Sequence, residues 1–205
     1  MTPTMRRPAK DLGPRANHTI ARILDATKKI FLTRGYAGTT IDEITRVASV
    51  SRASFYTYFP SKRDVLLALG KDSLVAGASL IDRLGRVTAD GFEDGLLGFV
   101  GEYFAMLDAH GSFAFAWTQA AHEDEELRLA GMKGHLELCH QLGTVLGSLR
   151  GEPFENPAEL GLVAVSMLER AWSYCQLYME TVEQDVVERE IARTLAAMLG
   201  LTWRP

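Results

Sequence analysis

The chain has 205 residues, 47% of them apolar, which is enough for one large domain or for a small head and a larger body. No run of about eighteen uncharged apolar residues is present, and the polar N-terminus has no apolar segment after its basic residues, so we expect neither a membrane partner nor a secretory signal. The two cysteines, Cys139 and Cys175, are far apart in apolar helical contexts, which indicates reduced thiols in a cytoplasmic protein.

The net charge of −4 is unevenly distributed along the chain. Residues 1–72 contain 13 Lys and Arg against 6 Asp and Glu, whereas residues 73–205 contain 9 against 20. A basic head on an acidic body is typical of a protein whose head alone meets a polyanion such as DNA. Chance variation in surface charge is the alternative, and charge alone does not separate the two.

The first segment, residues 1–17, contains three of the seven prolines and no hydrophobic period, which predicts a flexible arm. Its basic side chains are Arg6, Arg7, Lys10 and Arg15. Such an arm can lie along a phosphate backbone or in a minor groove, although a solvated tail accounts for most of it.

A helical period begins at His18, with apolar residues three and four positions apart, and ends at Gly35. Thr40 then predicts the start of a short helix, and Glu43 three residues later completes a capping box. Two helices of this kind, one long and one short, form the first part of a compact head.

The segment VSRASFYTYFPSK predicts a second short helix and the start of a long one. Ser51 caps the short helix, which reaches about Tyr58, and Pro60 ends it. Ser61 caps the long helix, which continues to about Val87.

The remainder of the chain has no strand alternation, so we predict an all-α protein of about nine helices. Further helices are expected near 92–109, 112–121, 123–149, 157–181 and 183–199. A three-helix, helix-turn-helix DNA-binding domain would occupy residues 18–62, and a larger ligand-binding and dimerisation domain residues 63–205.

Two short helices joined by a tight turn are typical of a helix-turn-helix motif. Apolar residues such as Ile44, Ala48 and Phe55 form its interior set. That leaves polar side chains outside: Ser51, Arg52, Ser54, Tyr56 and Thr57. An ordinary helical hairpin with core tyrosines is the alternative, but no acidic residue lies between Glu43 and Asp64.

The exposed residue types suit a major groove. Arg52 can form a bidentate contact with guanine O6 and N7. Hydroxyls and backbone N–H groups at helix starts suit phosphates, and Lys62 is placed to pair with another phosphate.

The stretch FLTRGYAGTTIDEITRVASVSRASFYTYFPSKRDVLLAL resembles the N-terminal domain of the TetR family of transcriptional regulators. The resemblance implies phosphate contacts from Thr40, Ser51, Thr57, Tyr58 and Lys62, and base contacts from Arg52, Ala53, Ser54 and Tyr56. Two departures stand out. Ser49 occupies a turn position where the family usually has glycine, and Asp42 places an acid near the expected DNA.

The resemblance also implies that the last two helices, about 157–199, form a four-helix bundle with a second copy of the chain. Such a homodimer would read two half-sites of a palindromic double-stranded DNA operator. The apolar stripes of these helices are equally compatible with packing on their own body.

The body is rich in aromatic residues, which together with a few polar groups predict a pocket for a small hydrophobic effector. The candidate ligand-binding residues are Phe104, Phe113, Trp117, Gln119, Leu168, Glu169, Trp172, Tyr174 and Tyr178. Each of them could instead belong to the core, and Glu169 with Arg170 is interpreted as a structural ion pair. The segments FAWTQAAHEDEELR and MLERAWSY are similar to the ethionamide-resistance regulator branch of the family, which implies a lipophilic ligand.

These patterns favour a dimeric DNA-binding repressor that a small hydrophobic ligand releases. The alternative is an enzyme acting on a small apolar substrate in the aromatic-lined body. No G-x-S-x-G, H-E-x-x-H, glycine-rich phosphate loop or C-x-x-C motif is present, so we expect no enzymatic activity, no metal and no cofactor.

Overall fold

The structure, a computed structural model, describes residues 13–178 and 180–203. Over these residues the chain forms eight α-helices and one short 3-10 helix, which confirms the all-α prediction. The α-helices are α1 (Pro14–Arg34), α2 (Ile41–Ala48), α3 (Arg52–Tyr58), α4 (Lys62–Leu84), α5 (Phe92–Glu123), α6 (Glu125–Arg150), α7 (Pro157–Leu177) and α8 (Gln184–Met198), and the 3-10 helix is Ala89–Gly91. None of the helices described combines the length and the apolar character that a membrane crossing requires.

The first helix begins earlier than its hydrophobic period predicts. Pro14 takes the first helical position, where its missing N–H costs nothing, so α1 starts there rather than at His18. The predicted arm therefore loses its last residues, including Arg15, to the helix. Arg6, Arg7 and Lys10 lie outside the described residues.

The predicted hydroxyl caps of the head form, but the capping box does not close, because the Glu43 carboxylate pairs with Arg34 instead. The hydroxyl oxygen of Thr40 accepts the N–H of Glu43 at 3.2 Å, and that of Ser51 accepts the N–H of Ser54 at 3.0 Å. Ser61 accepts the N–H of Asp64 at 3.4 Å at the start of α4. These bonds satisfy helix-end donors and fix where each helix begins.

The body differs from the prediction at α5, which runs without a break where two helices were expected. The sequence around Gly111 suggests an interruption, but this glycine serves close packing: a Cβ there would overlap the ring of Trp172 from α7. Tertiary packing thus outweighs the low helix propensity of glycine. Other boundaries also shift: α4 ends at Leu84, α7 ends at Leu177, and α8 spans Gln184–Met198.

The buried apolar residues form two clusters. The cluster of the head joins α1–α3 to Val65, Leu66 and Leu69 of α4, and to Ala116 and other residues at the junction of α5 and α6. The cluster of the body joins the remainder of α4 to α5–α8. Helix α4 therefore belongs to both cores, and a boundary at residues 62–63 would cut through the packing of the head.

Helices α6 and α7 approach each other backbone to backbone. A Cβ at Gly143 would overlap the carbonyl of Pro157, and one at Gly161 would overlap the carbonyl of Cys139. Only glycine permits this separation. The close contact seats α7 against the body and brings Glu169 to the edge of an internal cavity.

Candidate DNA-binding surface and ligand cavity

The turn between α2 and α3 is closed by local backbone bonds. Ser49 adopts the left-handed conformation, with φ 50° and ψ 48°, and its N–H donates to the carbonyl of Arg46. The N–H of Val50 donates to Thr45, and the guanidinium of Arg22 in α1 donates to the Ser49 carbonyl at 2.8 Å. The serine thus keeps the geometry in which glycine is usual, at a conformational cost of about 1–2 kcal/mol.

Helix α3 divides into an inner and an outer face as the sequence predicts. Phe55 is fully buried and Phe59 nearly so, and both belong to the core of the head. The outer face carries the predicted contacts: Ser51, Arg52, Ala53, Tyr56 and Thr57 are exposed, and Ser54 and Tyr58 are partly exposed. Seven candidates therefore share one accessible surface at the start and outer side of a short helix.

An ion pair that the sequence did not predict spans this surface. Arg52 donates to the carboxylate of Asp42 in α2 and also to the hydroxyl of Tyr56 at 3.2 Å. The hydrogen bond to Asp42, followed by that to Tyr56, raises the pKa of Arg52. Because all three groups are solvent-exposed, the pair can be exchanged for other partners at low cost.

The ammonium group of Lys62, which was expected to contact a DNA phosphate, is bonded within the head. Its Nζ donates to the carbonyls of Tyr36 and Thr39 at 2.7 and 2.8 Å, and lies 4.3 Å from the centroid of the Tyr36 ring. These bonds satisfy carbonyls in the turn between α1 and α2. Lys62 therefore attaches the first turn of α4 to the head.

A cavity of about 330 Å³ lies between α4, α5 and α6, with Glu169 of α7 at its wall. Its apolar walls include Leu67 and Leu74 of α4, Met106 and Phe113 of α5, and Leu138 of α6. A mostly apolar space of this size with a few polar groups suits a small hydrophobic molecule.

Three of the predicted ligand residues line the cavity: Phe113, Trp117 and Glu169. The indole Nε1 of Trp117 donates to the Leu127 carbonyl at 3.2 Å, so its ring is held in a fixed orientation at the wall. The other six predicted residues lie elsewhere, for two different reasons.

Phe104 and Leu168 are fully buried in the core of the body, where their apolar character reflects packing rather than ligand binding. Gln119 is exposed, and its Oε1 accepts the N–H of Tyr36 at 3.0 Å, so it links α5 to the head.

Trp172 packs on Gly111, and its Nε1 donates to Asp108 at 2.8 Å. Tyr174 and Tyr178 are exposed, and their rings stack with centroids 5.5 Å apart. The helical turn from Trp172 onward thus packs on α5 or faces outward instead of lining the cavity.

Sequence reasoning missed the contribution of α4 and two histidines, His110 and His135. The signal was present in α5, where cavity residues 106, 110, 113 and 117 recur at intervals of four, three and four, the spacing of one helix face. This spacing is the same for a cavity wall and for solid core, so the sequence alone does not distinguish the two.

Glu169 is the carboxylate of the cavity, and its expected ion pair with Arg170 does not form. Adjacent residues in a helix point in different directions, and the Arg170 guanidinium instead lies 5.8 Å from the centroid of the Tyr174 ring. Burial raises the pKa of Glu169 to about 7, with only a partial offset from the charge of Arg170. Glu169 therefore carries its proton for much of the time near neutral pH.

The histidines of the cavity are also affected by burial, which lowers the pKa of both. His135 lies near Cys139, with 3.8 Å between Nε2 and Sγ, and His110 has a buried Nδ1 that bonds to nothing in the described part of the chain. Over those same residues, no group of three or more potential metal ligands is found.

The cavity is connected to the head through the junction of α5 and α6. Arg63, in the first turn of α4, pairs with Asp124 and Glu126 at this junction, and Gln119 bonds to Tyr36. Because Trp117 precedes Gln119 by two residues, one short segment of α5 contacts both the cavity and the head.

A three-helix head in which an exposed third helix, α3, follows α2 across a tight turn is typical of the class of helix-turn-helix proteins. The profile of bacterial regulatory proteins of the tetR family matches residues 23–69. The resemblance seen in the sequence is thereby confirmed, and these residues form a TetR-family N-terminal domain.

Two curated relatives agree with this assignment. The HTH-type transcriptional regulator EthR of Mycolicibacterium smegmatis is 28% identical over 138 residues, which cover 62% of this chain and 57% of that protein. The HTH-type transcriptional regulator SrpR of Pseudomonas putida is 36% identical over 61 residues, 30% of this chain and 29% of that protein. The matches therefore span less than two thirds of either relative, although the first extends beyond the head.

Solved structures extend the likeness of the fold to most of the chain. The fatty acid degradation regulator FadR from Bacillus halodurans has a TM-score of 0.69 at 22% identity, covering 93% of this chain and 97% of that one. FadR from Bacillus subtilis in complex with stearoyl-CoA has a TM-score of 0.64 at 19% identity, covering 85% and 96%. All four of these proteins are named as regulators and none is named as an enzyme. This agrees with the prediction, made from the sequence of the present chain, of a regulator and not an enzyme.

Proposed function

We propose that the protein is a cytoplasmic transcriptional repressor that binds a palindromic DNA operator as a homodimer and is released by a small hydrophobic ligand. The observation that carries this proposal is the exposed face of α3, which presents arginine, tyrosine and hydroxyl side chains while Phe55 on the opposite face is buried in the head. This arrangement suits the major groove, with Arg52 and Tyr56 toward bases and Ser51 and Thr57 toward phosphates.

A second copy of the chain fits the outer face of α7. Val163, Tyr174 and Leu177 are 55%, 45% and 69% exposed, and they follow one helix face together with the partly buried Met167. Met198 of α8 is also exposed, whereas Ile191 and Leu195 pack in the core of their own body. The proposed dimer therefore uses the outer residues of 157–199, and the inner ones stabilise the monomer.

Ligand release would act through α4. A molecule in the cavity contacts Leu67, Gly70 and Leu74 on this helix, and the same helix is attached to the head by Lys62. The ligand would favour a state in which the two recognition helices of a dimer no longer fit successive grooves, and would do so only to the extent that it binds this state more tightly. The transcriptional regulator FadR of Bacillus subtilis, solved in complex with stearoyl-CoA, supports a hydrophobic effector for this fold.

The direct test is selection of DNA from a pool of random duplexes at two salt concentrations, followed by sequencing. An enriched palindrome with strongly salt-dependent binding is expected, because operator binding releases counterions from the phosphates. Salt-sensitive binding without an enriched sequence would mean that the head binds DNA nonspecifically. If the ligand-free protein binds no DNA at either salt concentration, the proposal is refuted.

Replacing Arg52 with alanine is expected to weaken operator binding by about 1–3 kcal/mol and to relax the base preference at one position of each half-site. Asp42→Asn is expected to have the opposite effect, because it frees the guanidinium and removes a negative charge near the phosphates. Titration of the selected operator and of a scrambled duplex measures both effects.

The control for these variants is Arg83→Ala, which breaks a surface ion pair of similar exposure with Glu102 in the body. It should leave DNA affinity unchanged. If Arg52→Ala behaves like this control, Arg52 does not read the operator.

Val163→Glu is expected to convert the dimer to a monomer, because it would bury a carboxylate at the centre of the proposed interface. The measurement is sedimentation velocity at several protein concentrations. Leu129→Glu, at a position on α6 that is 47% exposed, is the control for an added surface charge. An unchanged dimer in the Val163 variant would place the interface elsewhere.

A further inference from the structure

Glu169 is a carboxyl group that forms no ion pair with the described cationic side chains near it. It lines the cavity, and within the described part of the chain it forms no ion pair. Among the described lining residues the one permanent cation is Lys71, which is exposed on α4. A partly buried carboxyl group that is neither paired nor hydrogen-bonded destabilises the folded protein when it is ionised, so its position at a cavity wall requires an explanation.

The surroundings of Glu169 do not neutralise it. Burial, followed by the charge of Glu169, raises the pKa of both Tyr103 on α5 and Cys139 on α6, so both stay in their neutral forms. Burial also lowers the pKa of His135 and His110, which favours neutral imidazoles. This part of the cavity therefore holds neutral polar groups around a single acid.

The unpaired polar atoms and the apolar walls together indicate what chemistry would complete the site. A protonated amine could pair with the Glu169 carboxylate, and the buried Nδ1 of His110 could accept or donate one more hydrogen bond. The ring faces of Trp117 and Tyr103, which also line the cavity, attract cations. An anionic ligand would be repelled by Glu169 whenever that carboxyl group is ionised, and a neutral ligand would leave Glu169 protonated and without an ionic partner.

We propose that the cavity binds hydrophobic amines, whose protonated nitrogen pairs with Glu169 while an aromatic or aliphatic body fills the apolar space between α4, α5 and α6. This inference rests on the proposed effector role of the cavity and specifies the chemical class of the effector. The cavity would recognise such a molecule by the positive charge of its nitrogen and by the fit of its apolar body.

Three probes of the same size separate the charge from the shape: 4-phenylbutylamine, 4-phenylbutan-1-ol and 4-phenylbutanoate. Isothermal titration of the full chain at pH 7 is expected to show the amine binding at least tenfold more tightly than the alcohol, and the carboxylate more weakly than both. Equal affinities, a preference for the carboxylate or no binding of the amine would each overturn the proposal.

Glu169→Gln tests the role of the side chain, because it keeps the shape and removes the charge. The variant should lose at least tenfold in affinity for the amine and change less than threefold for the alcohol. Glu137→Gln, on the exposed side of α6, makes the same side-chain replacement outside the cavity and should bind the amine as the native protein does. A loss of the same size in both variants would overturn the proposal.

A second measurement needs no variant, and so remains decisive if Glu169→Gln fails to fold. Because the pKa of Glu169 is about 7, pairing with an amine at pH 7 should release about half a proton, whereas the alcohol should release none. Titrations in two buffers with different ionisation enthalpies measure this release. Proton release that is equal for amine and alcohol would contradict pairing with Glu169.

The outcome is separable from that of the proposed function, because these titrations contain no DNA. Amine binding that leaves operator affinity unchanged would support the ligand class and refute release by the ligand. Operator binding that responds to the alcohol as strongly as to the amine would support release and refute the amine class.

Discussion

Replacing Gly161 with alanine is expected to lower the free energy of unfolding by about 2–3 kcal/mol, near the upper end of the usual cost of overpacking. The new Cβ would overlap the carbonyl of Cys139, which is backbone and cannot rotate away as a side chain would. Helices α6 and α7 would have to separate, and the body core between them would lose contacts. Urea unfolding followed by circular dichroism measures the change.

The control is Gly98→Ala, another glycine in the interior of a helix. A Cβ at Gly98 meets nothing within 4 Å, so alanine there should raise stability by about 0.5–1 kcal/mol through its higher helix propensity. If Gly161→Ala is stabilising in the same way, the close approach of α6 and α7 is not required for folding.

Replacing Glu169 with glutamine is expected to make the ligand-free protein more stable at alkaline pH but not at acidic pH. The pKa of Glu169 is raised from 4.5 to about 7, so the folded state binds the proton more tightly than the unfolded state does. Its contribution to stability is fully present below pH 4.5 and is lost as the pH rises through 7. The difference between variant and native protein should therefore grow by about 3 kcal/mol from pH 4 to pH 8.

The measurement is urea unfolding of both proteins across this pH range. Burial lowers the pKa of His110 and His135 as well, but both residues are present in both proteins, so their contribution cancels in the difference. A difference for Glu169→Gln that stays flat with pH would mean that the cavity does not hold this acid in its protonated form.

The head could be predicted from the sequence in detail because its signals are local. Thr40, Ser51 and Ser61 cap helices within three residues of themselves, and the burial of Phe55 follows from helical period alone. The pairing of Arg52 with Asp42 was not predicted, because it joins two helices whose separation depends on the turn at Ser49.

The body was less predictable because its decisive contacts join residues far apart in sequence. Gly111 resembles a helix break until Trp172 is seen to pack against it. Tyrosine and leucine are both residue types expected in a ligand pocket. Tyr174 nevertheless lies on the outer face of α7, and Leu168 is buried in the core of the body. Residue type specifies that such side chains avoid water, whereas only the packing of four helices determines which of them surround an empty space.

The ring of Phe113 rests on bare backbone at Gly70, where a Cβ would lie 2.6 Å from two of its ring atoms. Helix α4 is anchored at its far end by Leu80, Ile81 and Leu84 in the body core. At 1.5 Å per residue, the contact lies roughly 21 Å from Leu84 and the first turn at Lys62 roughly 33 Å from it. If a bound molecule pushes the ring against α4 and the helix rotates as a rigid body about Leu84, a displacement of 1 Å at Gly70 becomes about 1.6 Å at Lys62, where the helix is bonded to the head. The ratio of these two displacements depends on the position of Gly70 along the helix and not on the chemistry of the bound molecule.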